Sequence, residues 1–431
     1  MAAPSALYSR FLASSGVSTD SRQPQNGTLF VALNGPSFRG LDFAPQALAK
    51  GARFAVVDDA ELAAQSPDRY TYAPDPLVAL QELAREHRRQ FTGPVLAVTG
   101  SNGKTTTKEL LHAVLSRRYR VQYTRGNLNN HIGVPLTLLS IQPQEHEVAI
   151  VEMGANHQGE IALLCGIAEP THGLITNIGK AHLEGFGGTE GVARGKGELW
   201  QYLAAHEGTA FVNTADAKVM ERAQVVAQQI TYPGLADTYP AELLSAAPHV
   251  VLRLFDGTPV EAQINGGYNF LNLAAAAAVG AHFGVPADDI AAALAGYAPT
   301  NNRSQLVRTE HNELVLDAYN ANPSSMAAAL ASFAGRPGAL SSKMVILGDM
   351  FELGPESAAE HHALGEQLAS YGFGSVVLCG AEIAAARRPG FHHFPTKAEA
   401  AAWLAHNTPQ SQQILVKGSR GMGLETLVEL L

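Results

Sequence analysis

The sequence predicts an α/β protein with three domains, and three observations lead to this prediction. The chain has 431 residues, more than a single hydrophobic core usually accommodates. Short apolar runs typical of buried strands alternate with helical stretches, as in parallel sheets with crossover helices. One such run, at residues 94–99, leads into a glycine-containing loop that precedes a helical pattern. We place the domains at residues 1–90, 91–299 and 300–431.

The first domain is predicted to be a small α/β unit. Strand-like runs lie at residues 28–33 and 53–57, and an Ala-rich helical pattern at about residues 44–50 separates them. A second helical stretch, at residues 76–89, leads into the middle domain.

The middle domain is predicted to be a P-loop-type ATPase domain with a parallel sheet, and the third domain a Rossmann-like α/β domain. In the middle domain we expect a helix at residues 106–117 and strands at residues 94–100, 147–152, 173–177 and 208–213. In the third domain, apolar runs that suit strands buried on both faces lie at residues 314–317, 343–348, 375–378 and 413–416.

Composition and charge narrow the class of protein. Hydrophobic residues make up 46% of the chain and charged residues 16%, as in ordinary globular proteins. A net charge of −9 disfavours nucleic acid as a partner, because such binding usually needs a basic face. Two cysteines support no disulfide framework, and no apolar run reaches the length of about eighteen residues that a membrane span needs. We expect a cytoplasmic protein without membrane insertion, and a monomer by default.

The strongest local signal is the loop Thr99-Gly-Ser-Asn-Gly-Lys-Thr-Thr106 between a strand and a helix. Its glycines let the backbone turn sharply and direct N–H groups at phosphate oxygens, and the helix N-terminus adds partial positive charge. Lys104 can neutralise the β and γ phosphates, and the Thr105 hydroxyl can bind Mg²⁺. The predicted ATP-binding residues of the loop are Thr99, Gly100, Ser101, Asn102, Gly103, Lys104, Thr105 and Thr106. A purely structural glycine turn is the alternative.

The spacing of this loop departs from the standard P-loop, G-x-x-x-x-G-K-[ST], because Val98 stands at the first glycine position. The shortened form T-G-x-N-G-K-T resembles the loop of the Mur ligases and the folylpolyglutamate synthetases. This resemblance implies an ATP-dependent ligase that forms an amide bond through an acyl phosphate.

A carboxylate and an imidazole follow two of the predicted strands. Glu152 ends one apolar run, and His182 lies shortly after another. Ligands of open α/β sheets gather at the carboxyl ends of strands, so both are candidate ligands of Mg²⁺ or Mn²⁺. From residue types alone, a capping or solvated Glu152 and a hydrogen-bonded loop His182 are the commoner explanations.

The resemblance to the Mur ligases implies a fuller metal site. It matches Glu152 and His182 to ligands of catalytic magnesium, and Lys196 to a lysine that is carbamylated and binds a second metal through oxygen. On sequence alone, a lone lysine such as Lys196 is more often a surface charge. The implied ligands of two Mg²⁺ ions, with Mn²⁺ a possible substitute, are Thr105, Glu152, His182 and carbamylated Lys196.

Further motifs imply a nucleotide site completed from the third domain. Asn269 and Asn272, in Gly267-Tyr-Asn-Phe-Leu-Asn272, match asparagines near the adenine, although either could instead cap the following helix. Arg303, in an N-x-R motif that begins at Asn301, matches an arginine near the ATP phosphates. Asp317, in Asp317-Ala-Tyr-Asn-Ala-Asn-Pro323, matches an aspartate that meets the nucleotide. The implied catalytic residues are Lys104, Lys196, His182 and Arg303.

Other stretches resemble the Mur ligases that add D-alanyl-D-alanine. They are N-x-N-N-x-I-G-V-P-L-T-L from Asn127, E-M-G-A-N-H-x-G-E-I from Glu152, and the third-domain runs at residues 348–354 and 416–420. The implied substrates are UDP-N-acetylmuramoyl-tripeptide, held partly by the first domain, and D-alanyl-D-alanine. The candidate substrate residues are Ser21, Arg22, Asn127, Asn129, Asn130, Asn156, His157, Asn320, Asn322, Asp349, Glu352 and Lys417. A polar turn is the alternative for residues 127–130.

Two other functions remain open at this point. One is a relative with a different acceptor, such as a folylpolyglutamate synthetase, and the motifs at Asn127 and Asn156 argue against it. The other is a non-catalytic module that binds the UDP precursor. Such a module would be expected to lack Lys104, Glu152 or His182, and all three are present.

Overall fold

The structure is a computed structural model that describes residues 5–299 and 302–431. Asn301 and the predicted domain starts at residues 1 and 300 lie outside the described residues.

The N-terminal segment contains a four-stranded parallel sheet in the order β1-β2-β3-β4. Its strands are β1 (Val17–Ser18), β2 (Leu29–Val31), β3 (Phe54–Val57) and β4 (Tyr70–Tyr72). Its helices are α1 (Ala6–Leu12), α2 (Ala44–Ala49), α3 (Ala60–Gln65) and α4 (Pro76–Arg88). Buried Phe30, Ala44 and Val57 form part of its core. Asp75 begins α4 because its carboxylate accepts the N–H groups of Leu77 and Val78.

The middle segment contains a six-stranded sheet in the order β10-β9-β8-β5-β7-β6. Its strands are β5 (Val95–Thr99), β6 (Val121–Tyr123), β7 (Val148–Glu152), β8 (His172–Ile175), β9 (Thr209–Asn213) and β10 (Gln228–Tyr232). Its helices are α5 (Lys104–Leu115), α6 (Gly133–Leu139), α7 (Glu160–Ala168), α8 (Leu183–Phe186), α9 (Thr189–Ala205), α10 (Ala217–Ala223), α11 (Asn269–His282) and α12 (Ala287–Gly296). Every residue of β5, β7 and β9 is buried, as their apolar sequences require.

A small antiparallel sheet interrupts the α/β alternation before α11. It consists of β11 (Glu242–Ser245), β12 (Val250–Arg253) and β13 (Pro259–Ala262). These three strands were not predicted from the sequence.

The C-terminal segment contains a second six-stranded sheet, in the order β14-β15-β19-β16-β17-β18. Its strands are β14 (Gln305–Arg308), β15 (Glu313–Asp317), β16 (Lys343–Gly348), β17 (Ser375–Cys379), β18 (His392–Phe394) and β19 (Gln413–Lys417). Its helices are α13 (Pro323–Ala334), α14 (Ser357–Tyr371) and α15 (Lys397–His406). Only β14 is antiparallel to its neighbour, and β19 lies between β15 and β16. Asp317 therefore lies beside Lys417 in the ladder.

The described chain divides into two compact units. The first unit consists of three stretches of chain, residues 5–97, Tyr119–Gly154 and Glu160–His172. The second unit contains the remaining described residues. In the first unit, buried Arg88 donates to the carbonyls of Ala168 and Glu169 at the end of α7, at 2.8 and 2.9 Å. In the second unit, α5 packs against α11.

The predicted α/β class, with a parallel central sheet and an α/β C-terminal domain, is confirmed. The predicted strands and helices are present, with ends that differ by one or two residues. The helix of the phosphate loop, for example, begins at Lys104 rather than residue 106, because Gly103 in a left-handed conformation precedes its first turn.

Candidate active site

The phosphate loop connects β5 to α5 and depends on two glycines with positive φ. Gly100 has φ of +142° and Gly103 has φ of +79°. A Cβ on Gly100 would lie 2.0 Å from Thr176 Oγ1, and a Cβ on Gly103 would lie 2.6 Å from Asn272 Oδ1. These positions therefore need glycine both for their backbone conformation and for close packing. The side chain of Lys104 folds back over the loop, and its Nζ donates to the carbonyl of Gly100 at 2.7 Å.

The residues that follow β8 form hydrogen bonds with Ser101 and Asn102 of this loop. The backbone N–H of Asn102 donates to Asn177 Oδ1 at 3.0 Å, and Asn177 Nδ2 donates back to the Asn102 carbonyl at 2.9 Å. Ser101 Oγ accepts from the Gly179 N–H at 2.9 Å and donates to the Gly179 carbonyl at 3.1 Å. These hydrogen bonds fix the loop against the residues that follow β8.

The two asparagines of α11 lie on the other side of the loop. Both are buried, and Asn272 Nδ2 donates to Asn269 Oδ1 at 2.8 Å. Thr107 Oγ1 donates to Asn272 Oδ1 at 3.1 Å. Tyr268 precedes α11 in the N-cap position, and neither asparagine side chain caps the helix. The capping explanation for these residues therefore does not apply.

Glu152 lies at the end of β7, in the first unit. Its side chain is 1% exposed, which excludes the solvated alternative. Asn129 Nδ2 donates to Glu152 Oε1 at 2.8 Å, and the Glu152 N–H donates to Thr124 Oγ1 at 2.9 Å. Asn130 Oδ1 accepts the N–H groups of Ile132 and Gly133 at the turn into α6, while Asn127 is exposed. The stretch at residues 127–130 is a polar turn in which Asn129 contacts a predicted metal ligand.

Lys196 and His182 lie in the second unit. Lys196, on α9, is fully buried; its Nζ donates to the Ala155 carbonyl at 3.1 Å and lies 5.0 Å from the ring centroid of Phe186. His182 has φ of +51° just before α8, and its Nδ1 donates to Glu352. This hydrogen bond lowers the pKa of Glu352. Asn156 and His157, on the loop that begins at residue 155, are exposed.

Two predicted residues of the third domain form a buried ion pair. Lys417 Nζ lies 2.7 Å from Asp317 Oδ2 and also donates to the Asn320 carbonyl at 3.0 Å. Asp317 Oδ1 accepts the N–H of Ser304 at 3.1 Å. The guanidinium of Arg303 stacks on Tyr319, 3.5 Å from the ring centroid. Asp317 thus anchors the segment that carries Arg303.

The other predicted residues of the third domain occupy loops that follow its strands. Asn322 caps α13, and its Nδ2 donates to Asn102 Oδ1 of the phosphate loop at 2.8 Å. Asp349 is buried, and its Oδ1 accepts the Ile383 N–H at 2.8 Å. Burial, together with the Asp349 carboxylate, raises the pKa of Cys379 to about 11. Asn320 is exposed.

The two predicted residues of the N-terminal segment differ in exposure. Ser21 is buried, and its Oγ donates to Gln46 Oε1 at 3.3 Å. Arg22 is exposed and forms a bidentate pair with Asp20, at 2.8 and 2.9 Å. These bonds lower the pKa of Asp20 to about 2. A fixed guanidinium therefore lies at the surface of this segment.

Comparison with known proteins assigns all three segments to one family. Residues 14–91 match the Mur ligase family catalytic domain, residues 98–280 the Mur ligase middle domain, and residues 302–420 the Mur ligase glutamate ligase domain. The UDP-N-acetylmuramoyl-tripeptide--D-alanyl-D-alanine ligase of Escherichia coli is 37% identical over 429 residues, covering 96% of this chain and 93% of the relative. The chain belongs to the Mur ligase family.

Solved structures of Mur ligases agree with the fold. The structure of MurF from Acinetobacter baumannii is 36% identical, with a TM-score of 0.86 and coverage of 96% of this chain and 92% of that one. The structure of the MurF ligase from Thermotoga maritima in complex with ADP is 27% identical, with a TM-score of 0.86 and coverage of 97% of both chains. The three-domain architecture of this Mur ligase is therefore that of its family.

The donor types of the predicted metal ligands fit a hard divalent cation. Thr105 and Glu152 offer a hydroxyl and a carboxylate, His182 an imidazole, and a carbamate on Lys196 would add further oxygens, all of which suit magnesium. Within residues 5–299 and 302–431, no group of three or more His, Cys, Asp and Glu side chains forms a metal site. Of the four predicted ligands, only Glu152 and His182 are of these residue types, so the predicted site could not form such a group of three. The absence of a group therefore does not contradict the predicted ligands.

Several residues around the site of this Mur ligase were missed by the sequence analysis. Asn177 holds the phosphate loop, and Arg420 donates to the hydroxyl of Tyr319 at 3.3 Å. Asn177 is the last residue of a predicted strand, and ligand-binding residues gather at the carboxyl ends of strands, so its position was a usable signal. Tyr319 lies inside the motif at residues 317–323, so that motif was the available signal for it.

None of the helices in the described part of the chain is both long and apolar enough to cross a bilayer.

Proposed function

We infer that the chain joins D-alanyl-D-alanine to UDP-N-acetylmuramoyl-tripeptide with cleavage of ATP to ADP and phosphate, in the biosynthesis of peptidoglycan. The observation that carries this inference is a phosphate loop fixed between β5 and α5, in a chain that matches UDP-N-acetylmuramoyl-tripeptide--D-alanyl-D-alanine ligases over nearly its whole length. The residue roles given below are our proposals.

We propose that ATP binds at residues 99–106, with its phosphates along the backbone N–H groups at the start of α5. Lys104 and Arg303 would offset the negative charge that builds on the γ-phosphoryl group during transfer. Asn269 and Asn272 would lie near the adenine, and Asp317 would orient the segment of Arg303 through its bond to Ser304. The ADP complex of the Thermotoga maritima relative supports nucleotide binding in this family.

We propose that Thr105, Glu152, His182 and carbamylated Lys196 hold two magnesium ions, with manganese a possible substitute. When bound, the ions neutralise charge on the phosphates and on the transferred group. The full burial of Lys196 supports a role inside the site rather than as a surface charge.

The substrate contacts are proposed by segment. The domain at residues 1–90 would hold the UDP part of the precursor through Ser21 and Arg22. The same substrate would be contacted by Asn127, Asn129 and Asn130. The domain at residues 91–299 would bind ATP, and Asn156 and His157 of this domain would contact the substrates. The domain at residues 300–431 would close on ATP and bind the dipeptide through Asn320, Asn322, Asp349, Glu352 and Lys417.

The reaction would proceed in two steps. The terminal carboxylate of the tripeptide attacks the γ-phosphorus, the β–γ bond breaks, and an acyl phosphate and ADP form. The amine of D-alanyl-D-alanine then attacks the acyl carbon, and the tetrahedral intermediate expels inorganic phosphate. The amine must be neutral to attack, and a free α-amino group has a pKa of roughly 8. We further propose that the protein works as a monomer in the cytoplasm.

A phosphate-release assay with different acceptors tests this function. Purified protein, Mg²⁺, ATP and UDP-N-acetylmuramoyl-tripeptide would be combined with D-alanyl-D-alanine, glutamate or single amino acids. We expect phosphate and the pentapeptide product with D-alanyl-D-alanine alone. Turnover with glutamate instead would show that the enzyme uses a different acceptor. No turnover with any acceptor would refute the ligase activity.

A further inference from the structure

A buried arginine outside all of these assignments connects the third domain to the nucleotide site. Arg336 follows α13 and is 7% exposed. Its Nη1 donates to Asn265 Oδ1 at 3.1 Å, and its Nη2 donates to Glu313. The ammonium of Lys343 donates to the carbonyl of Arg336 at 2.6 Å and to that of Ala334 at 2.9 Å, which fixes the backbone at the end of the helix. Arg336 is therefore rigid at both its backbone and its guanidinium.

The partner of this arginine, Asn265, lies just before the helix that carries the two asparagines. Its side-chain Nδ2 reaches the carbonyl of Ser304 at 3.5 Å, beside Arg303. Its backbone carbonyl accepts a hydrogen bond from Asn269 Nδ2 at 2.6 Å. The amide of Asn269 is thus oriented by a residue that Arg336 holds.

The hydrogen bonds continue from Asn269 to the phosphate loop. Asn269 Oδ1 accepts from Asn272 Nδ2, and Asn272 Oδ1 accepts from Thr107 Oγ1 on α5. Asn272 Oδ1 is also the atom that lies closest to where a Cβ on Gly103 would be. We call this series, Arg336, Asn265, Asn269, Asn272 and Thr107, the asparagine relay.

The relay has a single direction. In each of the last two asparagines, the oxygen accepts from the next residue and the nitrogen donates to the previous one. Rotation of the Asn269 amide by half a turn would place donor against donor and acceptor against acceptor, and rotation of the Asn272 amide would place its oxygen against Asn269 Oδ1. Each amide keeps a second hydrogen and a second lone pair, so contact with an adenine remains available to both.

We propose that Arg336 is a positioning residue for the nucleotide, which acts through the asparagine relay to fix α11 and the phosphate loop at Gly103. The relay joins Arg336, which follows α13 in the third domain, to the loop that precedes α11, and so it makes ATP affinity depend on how the third domain packs against that loop. This inference rests on the proposed assignment of residues 99–106 to ATP.

The test compares variants that break the relay with variants that spare it. Arg336→Lys keeps the charge but loses the planar fork that reaches both Asn265 and Glu313. Asn265→Ala removes the acceptor, whereas Asn265→Asp keeps an acceptor for Arg336. Steady-state kinetics would give the KM for ATP and for D-alanyl-D-alanine, and calorimetry would give the Kd of ADP.

We expect Arg336→Lys and Asn265→Ala to raise both the KM for ATP and the Kd of ADP about tenfold, the usual effect of losing one charge-assisted hydrogen bond. The KM for the dipeptide should stay within about twofold, and Asn265→Asp should retain near-wild-type nucleotide values. Glu313→Gln is the matched control, because it weakens the ion pair of Arg336 and leaves the bond to Asn265; it should lower the Tm without changing the Kd of ADP.

Three results would overturn the proposal. The first is unchanged ATP and ADP values in folded Arg336→Lys and Asn265→Ala. The second is an equal loss in Asn265→Asp, which would assign the effect to the Ser304 contact. The third is an equal loss in Glu313→Gln, which would assign it to general stability. If Arg336→Lys fails to fold, the two Asn265 variants decide the matter. A wild-type protein that does not bind ADP would instead refute the nucleotide site itself.

Discussion

At the scale of single residues, Lys104 is the side chain expected to contact the transferred phosphoryl group. Replacing it with alanine should lower kcat about 100- to 1000-fold, the usual loss when one preorganised charge is removed from a transition state. The fold should persist, because the loop is also held by Asn177 and Ser101. Release of ADP measures the effect, and Lys218→Ala, an exposed lysine on α10, is the control. Near-normal ADP release from Lys104→Ala would contradict the assigned role.

Lys196 is the second residue whose role can be tested alone. Intact-mass measurement of the native protein should show the added mass of one carbon dioxide, lost on acidification. Lys196→Ala should be inactive and should regain part of its activity with short carboxylates such as acetate, which supply the missing oxygens. A native mass without the adduct, combined with no rescue, would remove Lys196 from the metal site.

Individual site residues differed in how far the sequence could predict their surroundings. Lys104 was predictable because its neighbours in sequence are also its neighbours in space. The pairing of Lys417 with Asp317 was not, because 100 residues separate them and only the ladder between β15 and β19 brings them together. The bond between Arg336 and Asn265 spans 71 residues and carries no local signal in the sequence.

At the scale of secondary-structure elements, the turn into α5 is the most constrained part of the site. Gly103→Ala would add a side chain in a left-handed conformation and place it against Asn272 Oδ1. Gly257, in the turn between β12 and β13, has φ of +93° and open space around it. Gly257→Ala should therefore cost about 1–2 kcal/mol from backbone strain alone.

We expect Gly103→Ala to lower the free energy of unfolding by more than Gly257→Ala and also to weaken ADP binding. Chemical denaturation and calorimetry on both variants measure the two effects. Equal destabilisation of the two variants, with ADP affinity intact in both, would mean that Asn272 does not confine the loop.

The elements themselves show which patterns identify strands. Strands β5, β7 and β16 were predicted because each contains a run of four consecutive apolar residues, and every residue of each strand is buried. Strands β11 to β13 were missed because they are four residues each, are partly exposed and each contain a charged residue. Strand β13, for example, alternates exposed and buried positions over Pro-Val-Glu-Ala. An alternation of exposed and buried residues over only four positions cannot be distinguished from a loop by sequence.

At the scale of the whole molecule, the order of strands and helices was enough to predict three α/β domains, because each strand run was followed by a helical stretch. The positions of the strands within each sheet were not predictable. The last strand, β19, lies at the centre of the C-terminal sheet, and this placement follows from packing rather than from its position in the sequence.

The central claim is that the carboxylate of the tripeptide is activated by phosphoryl transfer from ATP. Oxygen transfer tests it most directly, with UDP-N-acetylmuramoyl-tripeptide labelled with ¹⁸O in its terminal carboxylate, unlabelled ATP, D-alanyl-D-alanine and Mg²⁺. An acyl phosphate requires one carboxylate oxygen to leave with the phosphate, so mass spectrometry should find one ¹⁸O in each phosphate released and the other in the new amide. Phosphate without ¹⁸O, released together with the peptide product, would contradict the account.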